Sequence, residues 1–344
     1  MTKFRLLADD LTGALDSAAQ FCAAFGPVPV GWADDAAAPV LALDAGTRDL
    51  DAAGARARVA ALAPALAGAD LAFKKIDSLL RGHVSVEIAA CLRAGKFDAV
   101  VIAPAFPAQG RITRHGRQLA HGSDVGVDLA AALAREGIYV ARRGPGDALP
   151  PGVSLWDAET DDDLLAIAAQ ARGRVLWCGT AGLAGALALP VPLQDNAAPR
   201  PLARPVLALV GSDHAVARAQ VAACRIQVTL GDALPEIGHG SVLTVAIPDG
   251  TGRAEAACLI VEQLEKNMVR LARPGTLIVT GGATLRAVCA ALGADGLTVE
   301  GNLLPGVPTS RLRGGRWDGL RVVSKSGAFG DKGLLARLLE DDIA

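Results

Sequence analysis

Short apolar runs alternate with Ala- and Leu-rich stretches of helical spacing along all 344 residues, and no other feature restricts the fold as much. Candidate strands lie at 4–8, 28–32, 39–43, 71–75, 99–103, 138–141, 174–177, 206–210, 241–246, 276–280 and 320–324. Between them, at 11–24, 52–66, 84–94, 124–135, 161–171, 215–223, 253–271 and 285–292, the spacing of apolar residues is that of helices with a buried face. The apolar runs lack strict in–out alternation, as expected where both faces of a strand are covered. The expected fold class is α/β, with mostly parallel sheets flanked by helices. Aromatic residues are only 3%, so the core has to come from Ala, Leu and Val packed closely between helix and sheet.

A chain of this length predicts two domains. Segment 190–205, PVPLQDNAAPRPLARP, carries five prolines and can continue neither a helix nor a central strand. It reads as a linker between 1–189 and 206–344, because a fresh strand–glycine–helix unit begins directly after it. In open α/β sheets, ligands sit beyond the carboxyl ends of the strands. The loops there differ: acids and Lys/Arg pairs in the first half, glycines and hydroxyls in the second. The expectation is a substrate domain, then a nucleotide domain, with the active site in the cleft between them.

Charge excludes some partners. Lys and Arg number 34 against 36 Asp and Glu, a formal net charge of -2, which offers no general attraction to nucleic acid or anionic membrane. No apolar run approaches the ~20 residues that span a bilayer. Residues 1–10 read as a strand ending in two acids rather than as a signal peptide. The 6 cysteines are scattered without paired spacing, which predicts a reducing, cytoplasmic setting. His83, His115, His121, His214 and His239 show no ligand spacing, so no metal site made by the protein is expected. Oligomeric state is left open, a homo-oligomer included.

Three constellations in the first half carry chemistry. Asp9-Asp10-Leu11-Thr12-Gly13 follows the first strand and opens a helix. Paired carboxylates there can hold a hydroxyl, take its proton or bind Mg²⁺, although helix capping accounts for one of them. Lys74-Lys75-Ile76-Asp77-Ser78, followed by Arg81, ends another strand, and two lysines leaving an apolar strand need an anion to meet them. Arg48, after the third strand, can join that group. Loop 103–111, with Pro104 and Pro107 flanking Phe106, reads equally as a rigid connection or a binding loop.

In the second half, Gly211-Ser212, Gly281-Gly282-Ala283-Thr284 and Lys325-Ser326-Gly327 each follow a strand. Glycines before helix N-termini free backbone N–H groups for phosphate, with hydroxyls as further donors. Neither the P-loop pattern nor the Rossmann glycine pattern is present. That absence counts against a nicotinamide-dependent dehydrogenase.

Together ADDLTGALD, KKIDSLLRGH, APAFPAQGR and VVSKSGAFGD resemble the four-carbon acid sugar kinases, in order and over nearly the whole chain. The resemblance implies an N-terminal sugar-acid domain, a C-terminal ATP domain, and phosphoryl transfer to the terminal (4-) hydroxyl of D-threonate, D-erythronate or a 3-oxo-tetronate. KKIDSLLRG looks closer to the threonate and erythronate branch. The resemblance places Asp9, Arg48, Lys75, Ile76, Asp77 and Ser78 on the substrate side, and Arg81 is added as a further anion contact. It places Ser212, Gly281, Gly282, Ala283, Thr284 and Gly327 on the ATP side. Asp9 and Asp10 are the candidates for orienting or deprotonating the attacking hydroxyl, and Mg²⁺ is expected to travel with ATP. The rival outside enzymology is a non-catalytic sugar-acid sensor.

Overall fold

The computed structural model describes residues 2–188, 201–212, 214–230, 240–245, 247–248 and 250–340. The chain divides into two compact units, Met1–Gln194 and Asp195–Ala344. Most of the proline-rich segment lies outside the described residues.

Unit 1 is built on β1 (Phe4–Ala8), β2 (Val28–Gly31), β3 (Val40–Asp44), β4 (Leu71–Lys75), β5 (Ala99–Ala103), a small sheet of β6 (Arg111–Arg114), β7 (Arg117–Ala120) and β8 (Ser123–Asp124), then β9 (Ala141–Arg143), β10 (Gly152–Trp156) and β11 (Val175–Gly179). The main sheet runs β2-β3-β1-β4-β11-β5-β10-β9, with every pair parallel. β1, β5 and β11 are buried along their whole length, which is why their sequences show no alternation. Leu7, Leu43, Ile88, Ile102 and Leu176 are part of one apolar cluster on this sheet.

Unit 2 contains β12 (Val206–Val210), β13 (Ile226–Leu230), β14 (Ser241–Val245), β15 (Thr276–Thr280), β16 (Gly296–Leu304), β17 (Val307–Arg313) and β18 (Arg321–Lys325). Its order is β13-β14-β12-β15-β18-β17-β16; the first five strands are parallel, and β17 is antiparallel to both neighbours. The α/β class expected from the sequence, with mostly parallel sheets and flanking helices, is the class observed.

The differences have local causes. The helix expected from 124 begins only at Leu129, because Ser123–Asp124 pairs with β7 and Asp128 caps the helix by accepting from the Ala131 N–H. The helix expected over 11–24 ends at Gln20 and a short helix resumes at Cys22–Phe25, with Phe21 buried against Phe4. β16 and β17 escaped the sequence reading because glycine and clustered polar residues break both the apolar run and the alternation that mark a strand. They join through the turn at Pro305 and Gly306, the glycine at a left-handed φ of 73°.

Candidate functional site

In unit 1 the chain leaves β1 for β2 and β3 on one side, then crosses to β4 on the other. The carboxyl ends of β1 and β4 therefore lie side by side where the strand order reverses, which is where doubly wound sheets form a ligand crevice. β1 delivers Asp9 and Asp10, β4 delivers Lys75 to Ser78, and the loop after β3 delivers Arg48. That loop is fixed by the Thr47 and Arg48 N–H groups, which donate to the Asp9 carbonyl at 2.9 and 3.2 Å.

Arg48 is already surrounded by carboxylates. Its Nε donates to Asp9 Oδ2 at 2.5 Å, its Nη2 to Asp10 Oδ1 at 3.0 Å, and its Nη1 lies 3.2 Å from Asp77 Oδ1. Asp77 also receives a two-pronged contact from Arg81 (2.9 and 2.8 Å) and the N–H groups of Leu79 and Arg81. Burial works against the Asp77 charge, but the Arg81 hydrogen bonds and the Arg48 charge outweigh it and hold the carboxyl well below the usual range. Asp10 caps the helix Leu11–Gln20, accepting from the Gly13 N–H at 3.0 Å and from Thr12 Oγ1 at 2.7 Å. Asp9 differs: its Oδ1 is buried with no hydrogen-bond partner among the described residues. Burial opposes its charge, yet Arg48, Lys75 and Lys74 hold its pKa below the ordinary value.

The two adjacent lysines have separate fates. Side chains alternate along a strand, so Lys74 and Lys75 point to opposite faces of β4. Lys74 Nζ meets Glu87 Oε2 at 2.7 Å, and Thr47 donates to Glu87 Oε1 at 2.6 Å, a satisfied network wholly inside the protein. Lys75, 6% exposed, makes no ion pair among the described residues. It lies against the first turn of the helix: a Cβ at Gly13 would stand 2.9 Å from its Nζ and 2.6 Å from Asp10 Oδ1. Gly13 is needed there for that close approach.

Ile76 buries its side chain in the core and donates its N–H to the Gly179 carbonyl, so its own contacts are structural. Ser78 is braced from the small sheet, where Gln118 donates to the Ser78 and Pro104 carbonyls at 2.9 and 3.0 Å. The loop 103–111 is thus tied into the same corner.

In unit 2 the strand order reverses between β12 and β15. Gly211 and Ser212 follow β12, Gly281 follows β15 at a φ of 104°, and Gly327 follows β18. A Cβ at Gly211 would strike Thr284 Oγ1, and one at Gly327 would strike Ser212 Oγ. Three strand ends therefore close on a corner lined by backbone and hydroxyls, with the helix Gly282–Ala291 starting in it. Ala283 lies in that first turn, and Thr284 is buried. The donors of this corner suit phosphate, so the residues present fit a nucleotide.

A sugar-binding N-terminal domain model matches residues 4–137, and a nucleotide-binding C-terminal domain model matches residues 242–335. D-threonate kinase of Cupriavidus necator is 32% identical, over 96% of this chain and 95% of its own. D-threonate kinase of Bordetella bronchiseptica is also 32% identical with the same coverage, and D-erythronate kinase of Heliobacterium modesticaldum is 26% identical. The chain belongs to the four-carbon acid sugar kinase family. It is accordingly a phosphotransferase. Crystal structures of a Salmonella typhimurium LT2 protein (21% identity, TM-score 0.77) and a Haemophilus influenzae protein (17%, 0.70) share its fold.

In this kinase, Asp9, Arg48, Lys75 to Ser78 and Arg81 fall within the sugar-binding match, and Gly281 to Thr284 and Gly327 within the nucleotide-binding match; Ser212 precedes the latter. Among the described residues no group of three or more His, Cys, Asp or Glu could hold a metal ion, and no helix is long and apolar enough to cross a membrane. Sequence reading missed two residues. Lys325, inside VVSKSGAFGD, is buried at the end of β18. Asp16, inside ADDLTGALD, is buried on the helix after β1, and its Oδ1 has no partner. Burial pushes its carboxyl up to about 6, against the pull of Lys75 and with help from Asp10.

The Asp16 shift makes a stability prediction. A carboxyl raised in the folded state binds a proton there before it does so unfolded, so its penalty appears as pH rises from about 4 through about 6. Asp16→Asn removes that penalty. Urea unfolding is expected to show the variant more stable than wild type by on the order of 1–3 kcal/mol at pH 7.5, with the difference shrinking by pH 4.5. A pH-independent difference would mean that Asp16 is charged in the fold at little cost.

Proposed function

We propose that this kinase transfers the γ-phosphoryl group of ATP to the terminal (4-) hydroxyl of a four-carbon sugar acid, D-threonate first and D-erythronate second. The observation that carries this reading is the pairing of Lys75, a buried cation without an ion-pair partner among the described residues, with Asp9, whose buried Oδ1 has no hydrogen-bond partner among them, at one strand-order reversal. A sugar acid supplies what each lacks: a carboxylate for Lys75 and hydroxyl donors for Asp9 Oδ1. Arg48 and Asp77 hold these groups in place, Asp10 fixes the helix that approaches Lys75, and the Ser78 and Arg81 turn completes the loop around the acid. The likeness to D-threonate kinases over 96% of the chain supports the same substrate.

Phosphoryl transfer depends on positioning and charge neutralisation more than on a strong base. Asp9, held as an anion, therefore serves mainly to orient the hydroxyl. On the nucleotide side, Ser212, Gly281 to Thr284 and Gly327 would receive the phosphates. A Mg²⁺ carried on those phosphates keeps most of its waters and needs few protein ligands, and it would neutralise charge developing during transfer.

The test is an ADP-release assay across D-threonate, D-erythronate, their stereoisomers and the matching neutral polyols. Turnover of a four-carbon acid is expected at 10²-fold or greater advantage in kcat/KM over its polyol, on the order of the cost of leaving a buried charge unpaired. Equal rates on acid and polyol would remove carboxylate recognition from Lys75. Ligand-induced melting shifts without ADP release would favour a sensor.

A further inference from the structure

Lys325 is the last residue of β18 and is 1% exposed. It is in register with Thr280 on β15, itself in register with Val210 on β12, so the three side chains share one face of the sheet at its carboxyl end. The Lys325 ammonium donates to the Ser326 carbonyl at 2.9 Å and makes no ion pair among the described residues. Thr280 Oγ1 is buried without a hydrogen-bond partner among the described residues. The Lys325 carbonyl accepts the Gly281 N–H at 3.0 Å, which ties β18 to the glycine turn that opens the helix Gly282–Ala291.

The contrast with Lys74 shows what is missing. Both lysines are fully buried, but Lys74 has Glu87 at 2.7 Å while no carboxylate among the described residues pairs with Lys325. A buried ammonium without a counter-charge is costly. Burial pushes its pKa down to about 8. A lysine kept for structure would be matched from within, as Lys74 is. One kept for a ligand waits for an anion.

We propose that Lys325, with Thr280 as a neighbouring hydroxyl donor, is a phosphate-holding residue of unit 2 that grips the nucleotide's phosphate chain beside the Gly281 turn. The inference rests on the reading of unit 2 as the nucleotide-binding half. The anion must come with the ligand. The backbone N–H groups at the helix start and the hydroxyls of Thr284 and Ser212 already favour phosphate over a carboxylate.

The test uses the full-length chain, calorimetry with ADP and with a non-hydrolysable ATP analogue, and a melting curve without ligand. Lys325→Met is expected to weaken both nucleotides at least tenfold. Its ligand-free melting temperature should hold or rise, since no ion pair among the described residues is lost and the Ser326 carbonyl keeps the Phe329 N–H at 3.1 Å. Thr280→Val should weaken the same ligands a few-fold. A structural lysine would behave oppositely, with a lower melting temperature and parallel loss of sugar-acid binding, and that result overturns the proposal. Wild-type nucleotide affinity in Lys325→Met also overturns it, while leaving the nucleotide reading of unit 2 intact. Failure of the wild-type chain to bind either nucleotide overturns both. If Lys325→Met does not fold, Lys325→Gln, which keeps a donor, is read by the same criteria.

Discussion

Lys75→Met is expected to lower kcat/KM for the sugar acid by about 10²–10³-fold while the melting temperature stays close to wild type. The two halves of that expectation come from the same observation. Lys75 has no ion-pair partner among the described residues, so its removal breaks no salt bridge. Its charge does stabilise the anionic forms of Asp9, Asp16 and Asp77, so a modest change in the acid limb of the stability curve should accompany the loss. A Met side chain approximates the volume of the lysine stem and keeps the packing beside Gly13. The activity loss should appear for acids and not for polyols, since only the acids bring a carboxylate. A large fall in melting temperature with an unchanged rate per folded molecule would return Lys75 to a structural role. Steady-state kinetics on both substrate types, paired with calorimetric melting, separates these outcomes.

Arg48→Met should do the reverse, damaging the fold before the chemistry. One guanidinium holds Asp9, Asp10 and Asp77, and its side chain is only 10% exposed. Removing the cation leaves Asp9, at 4% exposure, without its main counter-charge, and leaves Asp77, at 7%, with Arg81 alone. Breaking such an arrangement from one side costs roughly 3–5 kcal/mol, which for a unit of this size is a fall of roughly 6–20 °C in melting temperature. The sign of the pH dependence follows from the carboxylates. In wild type, Asp9 and Asp77 have lowered folded pKa values, so they contribute stability that is present above the unfolded value and lost as pH falls through the folded one. In the variant those pKa values rise, so its deficit should narrow from pH 7 towards pH 4. Adding Asp9→Asn to Arg48→Met should restore part of the stability, which a double-mutant cycle will show. A variant melting as wild type does would mean that the carboxylates are far better solvated than their burial implies.

Much of the architecture was legible because it is written locally. An apolar run of five residues that breaks into Asp9-Asp10, Lys75-Ile76-Asp77-Ser78 or Gly281-Gly282 marks a strand's carboxyl end in one stretch of sequence, and the fold class follows from repeating that unit. Helix starts such as those after Asp10 and Thr160 are equally local, since a cap bonds three residues ahead. The strands β16 and β17 were not legible, because a polar, irregular pair with register shifts gains its identity only by hydrogen bonding to its partner and to β18. The short helix Ala181–Ala188 hid for a related reason: apolar all round, it has no stripe for a period to reveal.

The sequence by itself determined the α/β class, the strand ends that carry polar loops and the residue types gathered there. Which of those residues are spoken for was decided by the tertiary structure alone. Lys74 and Lys75 are identical neighbours on paper. Strand alternation sends them to opposite faces, and Glu87, on the helix Val84–Ala94, reaches only the first. Arg48 looks like an open anion reader until β1 and β4 bring Asp9, Asp10 and Asp77 around it. Asp16 and Lys325 read as ordinary charges until burial leaves one with an unpartnered Oδ1 and the other with no counter-charge among the described residues. The physical reason is common to all four. A charge's role depends on which opposite charge lies within a few ångströms and how much water is left, and both are set by contacts between residues far apart in the chain.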